Sequence, residues 1–420
     1  MTGRAAELTR ETLSDYGEHA AGLGELYRDL HAHPEPSWQE HRTAGIVAAR
    51  LHAAGFKVTE GVGGTGLAGV LRNGDGPVVL LRADMDALPV TERTGLPYAS
   101  AVPGVMHACG HDVHTTCLIA AAEALARRTA LWSGTLLAVA QPAEELGEGA
   151  LAMVRDPAWR ELPRPDAVLG QHVGPFPAGS IIHRPGLIMS AATTVDVRIF
   201  GRGGHGSSPE TCVDPIVTAA HLVTRLQTIV SREVSPRESV VVTAGMLRAG
   251  TKANVIPDEA HVALNFRTQS PRVRDQVLAA IRRIAEAECA ASGCPRPPEL
   301  AVSGDFPLTV NDAAADARVS AVHAELFGAE AVIEHGPLMG SEDFSVFGFA
   351  EHNGGTAVPS DFWFFGGTSP QAWADAPGES PEEKLATIPG NHSSQFAPDA
   401  EASVQAGTTA LTGAALAYLS

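Results

Sequence analysis

Hydrophobic and polar positions change their period several times along the chain, and each change predicts an element. From Glu25 to Phe56, "ELYRDLHAHPEPSWQEHRTAGIVAARLHAAGF" repeats apolar residues at helical spacing, is broken at Pro34 and Pro36, and closes at Gly55. "GPVVLLRAD" is a short continuous apolar run that stops at Asp84, and "HDVHTTCLIAAAEALARR" after it reads as an Ala-rich helix. A second run, "SGTLLAVAQPAEE", leads into Glu144 and Glu145, and a third, "PDAVLGQH", ends at His172. Buried-type strands alternating with helices predict an α/β layer around a mostly parallel sheet.

The period becomes two near residue 190, where "AATTVDVRIFGRGGHGSSPE" alternates apolar and polar residues as a half-exposed strand does. A helix ("DPIVTAAHLVTRLQTIVSR"), two strands ("SVVVTAGMLRAG", "DEAHVALNFRT"), a second helix ("VRDQVLAAIRRIAEAECAAS") and a last strand ("PELAVSG") follow. The order βαββαβ is that of the ferredoxin-like split motif. The expected organisation is an α/β domain formed by residues 1–189 and 304–420, with a small α+β domain, 190–303, inserted into it. Further on, "SPQAWADAPGESPEEKLATIPG" is rich in Pro and Gly and reads as a surface loop.

Open α/β sheets build sites at the carboxyl ends of their strands. Here those ends deliver Asp84 and Asp86, the Glu144–Glu145 pair, and His172. The stretch "MHACGHDVHTT" adds His107, Cys109, His111, Asp112 and His114 at the start of a helix. Thiolate, imidazole and carboxylate together favour a transition ion, zinc first, with manganese, cobalt or nickel fitting as well; calcium and magnesium prefer oxygen donors alone. The helix N-terminus is expected to help keep Cys109 as thiolate. Adjacent Glu144 and Glu145 repel in a dry pocket unless a cation sits there. One carboxylate can then bind metal while the other takes a proton from a water, although "PAEE" also suits a solvated helix N-terminus.

Composition and charge narrow the partners. In 420 residues, 44% hydrophobic and 19% charged, the chain can bury a sizeable core and divide into two domains. A net charge of −18 disfavours nucleic acid and anionic membranes as partners, while leaving room for a local basic pocket for a small anion. The N-terminus has no signal-peptide core, and five cysteines in a chain this long make no disulfide framework, so a reducing cytoplasm is expected.

The motifs "RADMDALPV", "MHACGHDVHTT", "QPAEELGEGA", "GQHVGPFPAG", "GRGGHGSSPE", "GTKANVIPDEA", "GSEDFSVF" and "NHSSQFAPD", in this order, resemble the aminoacylase and carboxypeptidase G-type metallohydrolases. Within them, the resemblance is to the amidohydrolase subfamily of hippurate hydrolases and plant auxin–amino-acid conjugate hydrolases. It implies a two-domain enzyme that uses two divalent transition ions to cleave the amide between an acyl group and an amino acid. Metal ligands are implied at Cys109, His111, Glu145, His172 and His392, a general acid/base at Glu144, and an orienting acid at Asp86. In the inserted lid and dimerisation domain, His205 is implied to polarise the substrate carbonyl, across a homodimer in related enzymes. Asn254 and Arg267 are implied to hold the substrate carboxylate. The stretch before Arg267 reads "LNFRT" where the family usually has Gly-Thr ahead of this Arg, and the segment before His392 is long. His31, His33, His107 and His114 are read as structural, Cys117 as core, and Cys289 and Cys294 as inert thiols.

Two other readings remain on sequence alone: a deacetylase or dipeptidase for a specific metabolite, and a catalytically silent metal- or ligand-binding protein. Retention of Glu144 argues against the silent protein, which has no use for an unligated carboxylate beside the metal.

Overall fold

The computed structural model describes residues 2–420 and divides into two compact units, one of residues 2–188, 310–336 and 343–420, the other of 189–309 and 337–342. The first unit opens with helices α1 (Thr2–Thr12), α2 (Tyr16–Ala32) and α3 (His41–Ala53). The break between α2 and α3 falls where Pro34 and Pro36 remove amide donors, and Gly55, at φ 88°, lies just past the end of α3.

Its sheet contains β1 (Lys57–Val62), β2 (Gly66–Asn73), β3 (Val78–Asp84), β4 (Gly134–Gln141), β5 (Ala167–Pro177) and β6 (Ile181–His183). Two short strands, β7 (Gly186–Met189) and β14 (Thr309–Asn311), lie where the chain passes between units, and β15 (Val332–Glu334) and β16 (Ser360–Thr368) complete the sheet. The order is β1-β2-β4-β3-β5-β16-β6-β15. The central four, β4-β3-β5-β16, are parallel; β1, β2 and β6 join antiparallel, and β15 pairs parallel to β6. β4 is buried at every position, as a strand covered on both faces must be.

Helices α4 (His111–Arg127), α5 (Gly149–Arg155), α8 (Ala313–Phe327) and α11 (Ala400–Leu419) pack in this unit. The small residues of α4 and α11 let the helices approach closely. A Cβ on Gly407 would lie 2.6 Å from Cys117 Sγ, so Cys117 is core, as expected. Between β16 and α11, the Pro-rich segment is not bare loop: it forms short helices α9 (Pro370–Asp375) and α10 (Pro381–Leu385). The signal was legible, since Ser-Pro opens both and Ser380 with Glu383 makes a capping box.

The second unit holds β8 (Ala191–Phe200), β9 (Gly204–His205), β10 (Val240–Ala249), β11 (Val255–Ile256), β12 (Glu259–Thr268) and β13 (Glu299–Phe306), with helices α6 (Pro215–Thr228) and α7 (Pro271–Ala291). Four strands form an antiparallel sheet in the order β10-β12-β8-β13, and β9 pairs with β11. The apolar faces of β8, β12, α6 and α7 share one core, including Val197, Leu222, Phe266 and Ile281. Among the described residues, no helix is long and apolar enough to cross a membrane.

Candidate functional site

Carboxylates and imidazoles gather at the carboxyl edge of the parallel strands. β3 ends at Asp84, with Asp86 two residues on; β4 leads to Glu144 and Glu145; β5 carries His172. β5 does not stop at His172, however, but continues to Pro177 because β16 pairs with it beyond that point. Glu144 and Glu145 lie in a 3-10 turn, Glu144–Leu146, and not at the start of an α-helix. Ala143 before them has φ 47°, and its amide donates to buried Glu40 at 2.9 Å.

Cys109 and His111 reach the same place because Gly110 between them has φ 86° and lies against β5. A Cβ there would come within 2.3 Å of Val173 Cγ1. The Cys-Gly-His order is therefore a requirement of backbone shape as well as of donors. His392 arrives from the far end of the chain, exposed, with φ 68° and its amide donating to the Ala108 carbonyl at 2.7 Å. Asn391 ties this loop down by donating to the Cys109 carbonyl at 3.0 Å and the Val173 carbonyl at 3.1 Å. Sequence reasoning missed Asn391, whose one signal was its place beside His392.

The hydrogen bonds fix which nitrogens are free. His172 Nδ1 lies 2.7 Å from the Val173 carbonyl, so it carries the proton and Nε2 presents a lone pair 3.4 Å from Cys109 Sγ. His111 Nδ1 lies 3.2 Å from Asp86, which leaves Nε2 facing Asp84 at 3.6 Å, Glu144 at 3.8 Å and Glu145 at 3.9 Å. Asp86 also accepts from the Glu145 amide at 3.1 Å and from Ser37 at 2.7 Å. Glu145 then reaches His392 Nε2 at 3.4 Å. The candidate donor groups at this edge include Cys109–His111–His172 and Cys109–Glu145–His392, which share Cys109, and also Asp84–His111–His114 and His111–Glu144–Glu145.

His114 lies at the same edge with both nitrogens engaged. Its Nδ1 is 2.6 Å from Asp84, and its Nε2 accepts the Val173 amide at 2.8 Å. It holds β5 in place, in keeping with a structural reading. His107 is buried with neither ring nitrogen hydrogen-bonded, and burial lowers its pKa to about 4. His31 is fixed between Asp112 at 2.7 Å and Glu92 at 3.3 Å, while His33 bonds the Asp29 carbonyl in solvent.

The electrostatics call for a cation. Burial would lower the His111 pKa, but Asp84, Asp86 and Glu145 outweigh it and raise it to about 10. His111 Nε2 and Glu145 Oε1 are buried with no hydrogen-bond partner. An unpartnered imidazole nitrogen and a bare carboxylate oxygen buried together fit a metal ion that would take the place of the Nε2 proton, as does the sulfur, nitrogen and oxygen donor set. Cys109 departs from expectation: burial first, then Glu145, Glu144 and Asp84, push its thiol well up. Burial and these carboxylates favour the neutral thiol, so a thiolate here calls for a cation beside it.

The expected residues of the second unit do not all meet. His205 on β9 and Asn254 beside β11 are neighbours, with the Gly206 amide donating to the Asn254 carbonyl at 2.9 Å. His205 Nδ1 accepts from the Ser207 amide at 3.1 Å, which leaves Nε2–H as the donor exposed to solvent. Arg267 lies at the other end of the ladder: it pairs with Ala192, whereas Glu259 near the His205 end pairs with Phe200. Eight residues of strand separate these ends by about 26 Å. Arg267 donates to the Met339 carbonyl at 2.7 Å and to Ser341 at 3.3 Å, and Asn265 of "LNFRT" bonds Thr194 across the strands.

Known proteins resemble this chain over most of its length. The model of peptidase family M20/M25/M40 matches residues 80–386. The hippurate hydrolase of Campylobacter jejuni is 39% identical over 327 residues, which cover 77% of this chain and 84% of that protein. An N-acetyl-L-cysteine deacetylase of Bacillus subtilis is 36% identical over 357 residues, covering 83% and 81%. Among solved structures, the YXEP protein of Bacillus subtilis, described as a dinuclear metal binding peptidase from the M20 family, superimposes with a TM-score of 0.72 at 30% identity, covering 95% of this chain and 98% of that one.

Proposed function

The chain belongs to peptidase family M20/M25/M40, and on that premise we propose that this hydrolase cleaves the amide bond of N-acyl-amino acids, releasing the acyl acid and the amino acid. The observation that carries the reading is the buried Glu144 carboxylate 3.8 Å from His111 Nε2, beside the Cys109, His172, Glu145 and His392 donors. A silent binding protein has no use for that group.

Cys109, His111, Glu145, His172 and His392 would hold two divalent ions, zinc, manganese or cobalt by their donor types. Such ions, when bound, lower the pKa of a water and polarise a carbonyl. Asp86 keeps His111 in the Nδ1–H tautomer and fixes the Glu145 backbone, so it positions the cluster. Glu144 accepts the proton of the attacking water and delivers it to the leaving amine nitrogen. His205 offers Nε2–H to the developing oxyanion, and Asn254 and Arg267 bind the substrate carboxylate.

We read the second unit as an inserted ferredoxin-like lid through which the chain forms a homodimer. Its edge strand β10 has one partner and exposes Val241 and Leu247, and such an edge invites pairing. Two copies would let His205 and Asn254 of one chain and Arg267 of the other serve one substrate, despite their separation within a chain. Five free cysteines accord with a reducing cytoplasm.

The likeness to an acetyl-cysteine deacetylase supports a second reading, preference for a short acyl group. A panel of N-acetyl-, N-benzoyl- and longer-acyl amino acids, offered to protein reconstituted with zinc or manganese, tests both. Release of free amino acid from at least one class is expected, and the acyl group cleaved fastest separates the readings. No cleavage of any member by metal-loaded protein would overturn the proposal.

A further inference from the structure

The first unit buries a second group of titratable side chains that none of the steps above employs. His183 ends β6, Asp316 lies in the first turn of α8, His323 follows two turns along that helix, and Asp361 is on β16. Their exposures are 3%, 5%, 0% and 0%. Asp361 pairs with Leu169, three positions before the His172 level of the same ladder, and so lies back along the strands from the Cys109 edge.

A relay of hydrogen bonds fixes the proton positions. His323 Nε2 is 2.9 Å from the Ala410 carbonyl, which can only accept, so Nε2 carries the hydrogen. Burial, with His183 adding to it, holds the His323 pKa well below its ordinary value, so the ring is neutral and its Nδ1 accepts. His183 Nε2, 2.8 Å away, must therefore donate. What remains is His183 Nδ1, which faces Asp316 at 3.2 Å and Asp361 at 3.9 Å.

Asp361 is the group this arrangement leaves unexplained. It is fully buried, and neither carboxylate oxygen has a hydrogen-bond partner. Burial first, then Asp316 and Asp312, push its pKa well up. A protonated His183 would satisfy Asp316 and still leave Asp361 bare. One ligand atom from each of His183, Asp316 and Asp361 lies within 4.8 Å of the other two. An ion with bonds of about 2.0–2.2 Å places neighbouring tetrahedral ligands about 3.3–3.6 Å apart, close to the spacings already present. Two carboxylates and a neutral imidazole also balance the charge of one divalent ion.

We propose that His183 Nδ1, Asp316 and Asp361 form a separate structural site for a divalent transition ion such as zinc or manganese, which ties β6 and β16 to α8. The site stands independently of the hydrolytic reading, because its donors are distinct from the Cys109 cluster. The test is a difference in metal content. The parent, Asp361→Asn and Asp316→Asn are saturated with zinc, freed of excess by gel filtration, and measured by elemental analysis. Each variant should carry about one zinc per chain fewer than the parent and keep the parental rate on the best acyl-amino acid. Unchanged zinc content would overturn the site, and a raised melting temperature beside it would mark Asp361 as a buried neutral acid. Crystals of the zinc-loaded parent give a reading that needs no variant to fold. An anomalous peak among His183, Asp316 and Asp361 is expected, and anomalous signal confined to the Cys109 cluster would contradict it.

Discussion

In the first unit, the side chains proposed to hold metal are themselves held by neighbours: Asp86 for His111, the Val173 carbonyl for His172, and Asn391 for the Cys109 loop. In the second unit, the His205 side chain is held by Ser207 of its own turn, and Arg267 lies toward the far end of β12. Burial explains the contrast. A charge in a dry space must be compensated by the fold itself, so the cleavage groups are preorganised before substrate arrives. The exposed His205 carries no such demand and can await the substrate or a second chain. Damage to the first unit should therefore appear as lost metal or lost turnover, and damage to the second as lost turnover or substrate affinity with metal intact.

Removing the metals should have the largest effect. Exhaustive chelation is expected to reduce hydrolysis to background, with recovery on adding zinc or manganese, followed by amino-acid release. Activity that survives chelation would place the chemistry elsewhere.

His205→Ala sharpens the contrast from the other side. Loss of an oxyanion donor is expected to lower kcat by about 10²–10³-fold. Elemental analysis should find the parental metal content, whereas a fall would join His205 to the buried set. Mixed with Glu144→Gln under subunit exchange, it should recover up to about half of parental activity per mixed dimer if sites are shared. No recovery despite proven exchange would mean that each chain completes its own site.

Asp86→Asn should weaken metal retention by about 10–100-fold, read by competition with a chelating dye. Its effect on a fully loaded sample should be smaller than that of chelation, since Asp86 positions donors without being one.

The smallest effect concerns the support beneath the site. Burial opposes it, but Asp112 and Glu92 raise the His31 pKa from 6.5 to about 10. Against burial, His31, Thr94 and the Ser100 amide lower Glu92 from 4.5 to about 2. A raised imidazole stabilises fully below about pH 6.5 and is lost as pH rises through about 10. A lowered carboxylate stabilises above about pH 4.5 and is lost as pH falls through about 2. The melting-temperature gap between the parent and His31→Gln should thus be widest from about pH 4.5 to 6.5 and close toward pH 10. A flat gap would mean that His31 acts through packing alone.

Much of the catalytic unit was legible because buried strands write themselves as apolar runs: "VVLLRAD" and "TLLAVAQ" announce both the strand and the acid that follows it. The end of β5 was not, since "VGPFP" is strand only through its pairing with β16, which lies almost two hundred residues on. His392 owed its place to family resemblance, for nothing local tells a loop His from a ligand. The two-residue strand of His205 and the distance from His205 to Arg267 depend on sheet register, which no local pattern encodes. The His183–Asp316–Asp361 cluster was invisible because its members come from three elements spread over the chain.

Glu144→Gln tests the central claim most directly, because the amide keeps the shape of the side chain and removes its capacity to take a proton. On one sample, metal per chain and turnover of the best acyl-amino acid are measured together. The account predicts parental metal content with turnover reduced about 10²–10⁴-fold. Turnover at the parental rate, or loss of metal in step with activity, would contradict the assignment of Glu144 as the proton-transfer group.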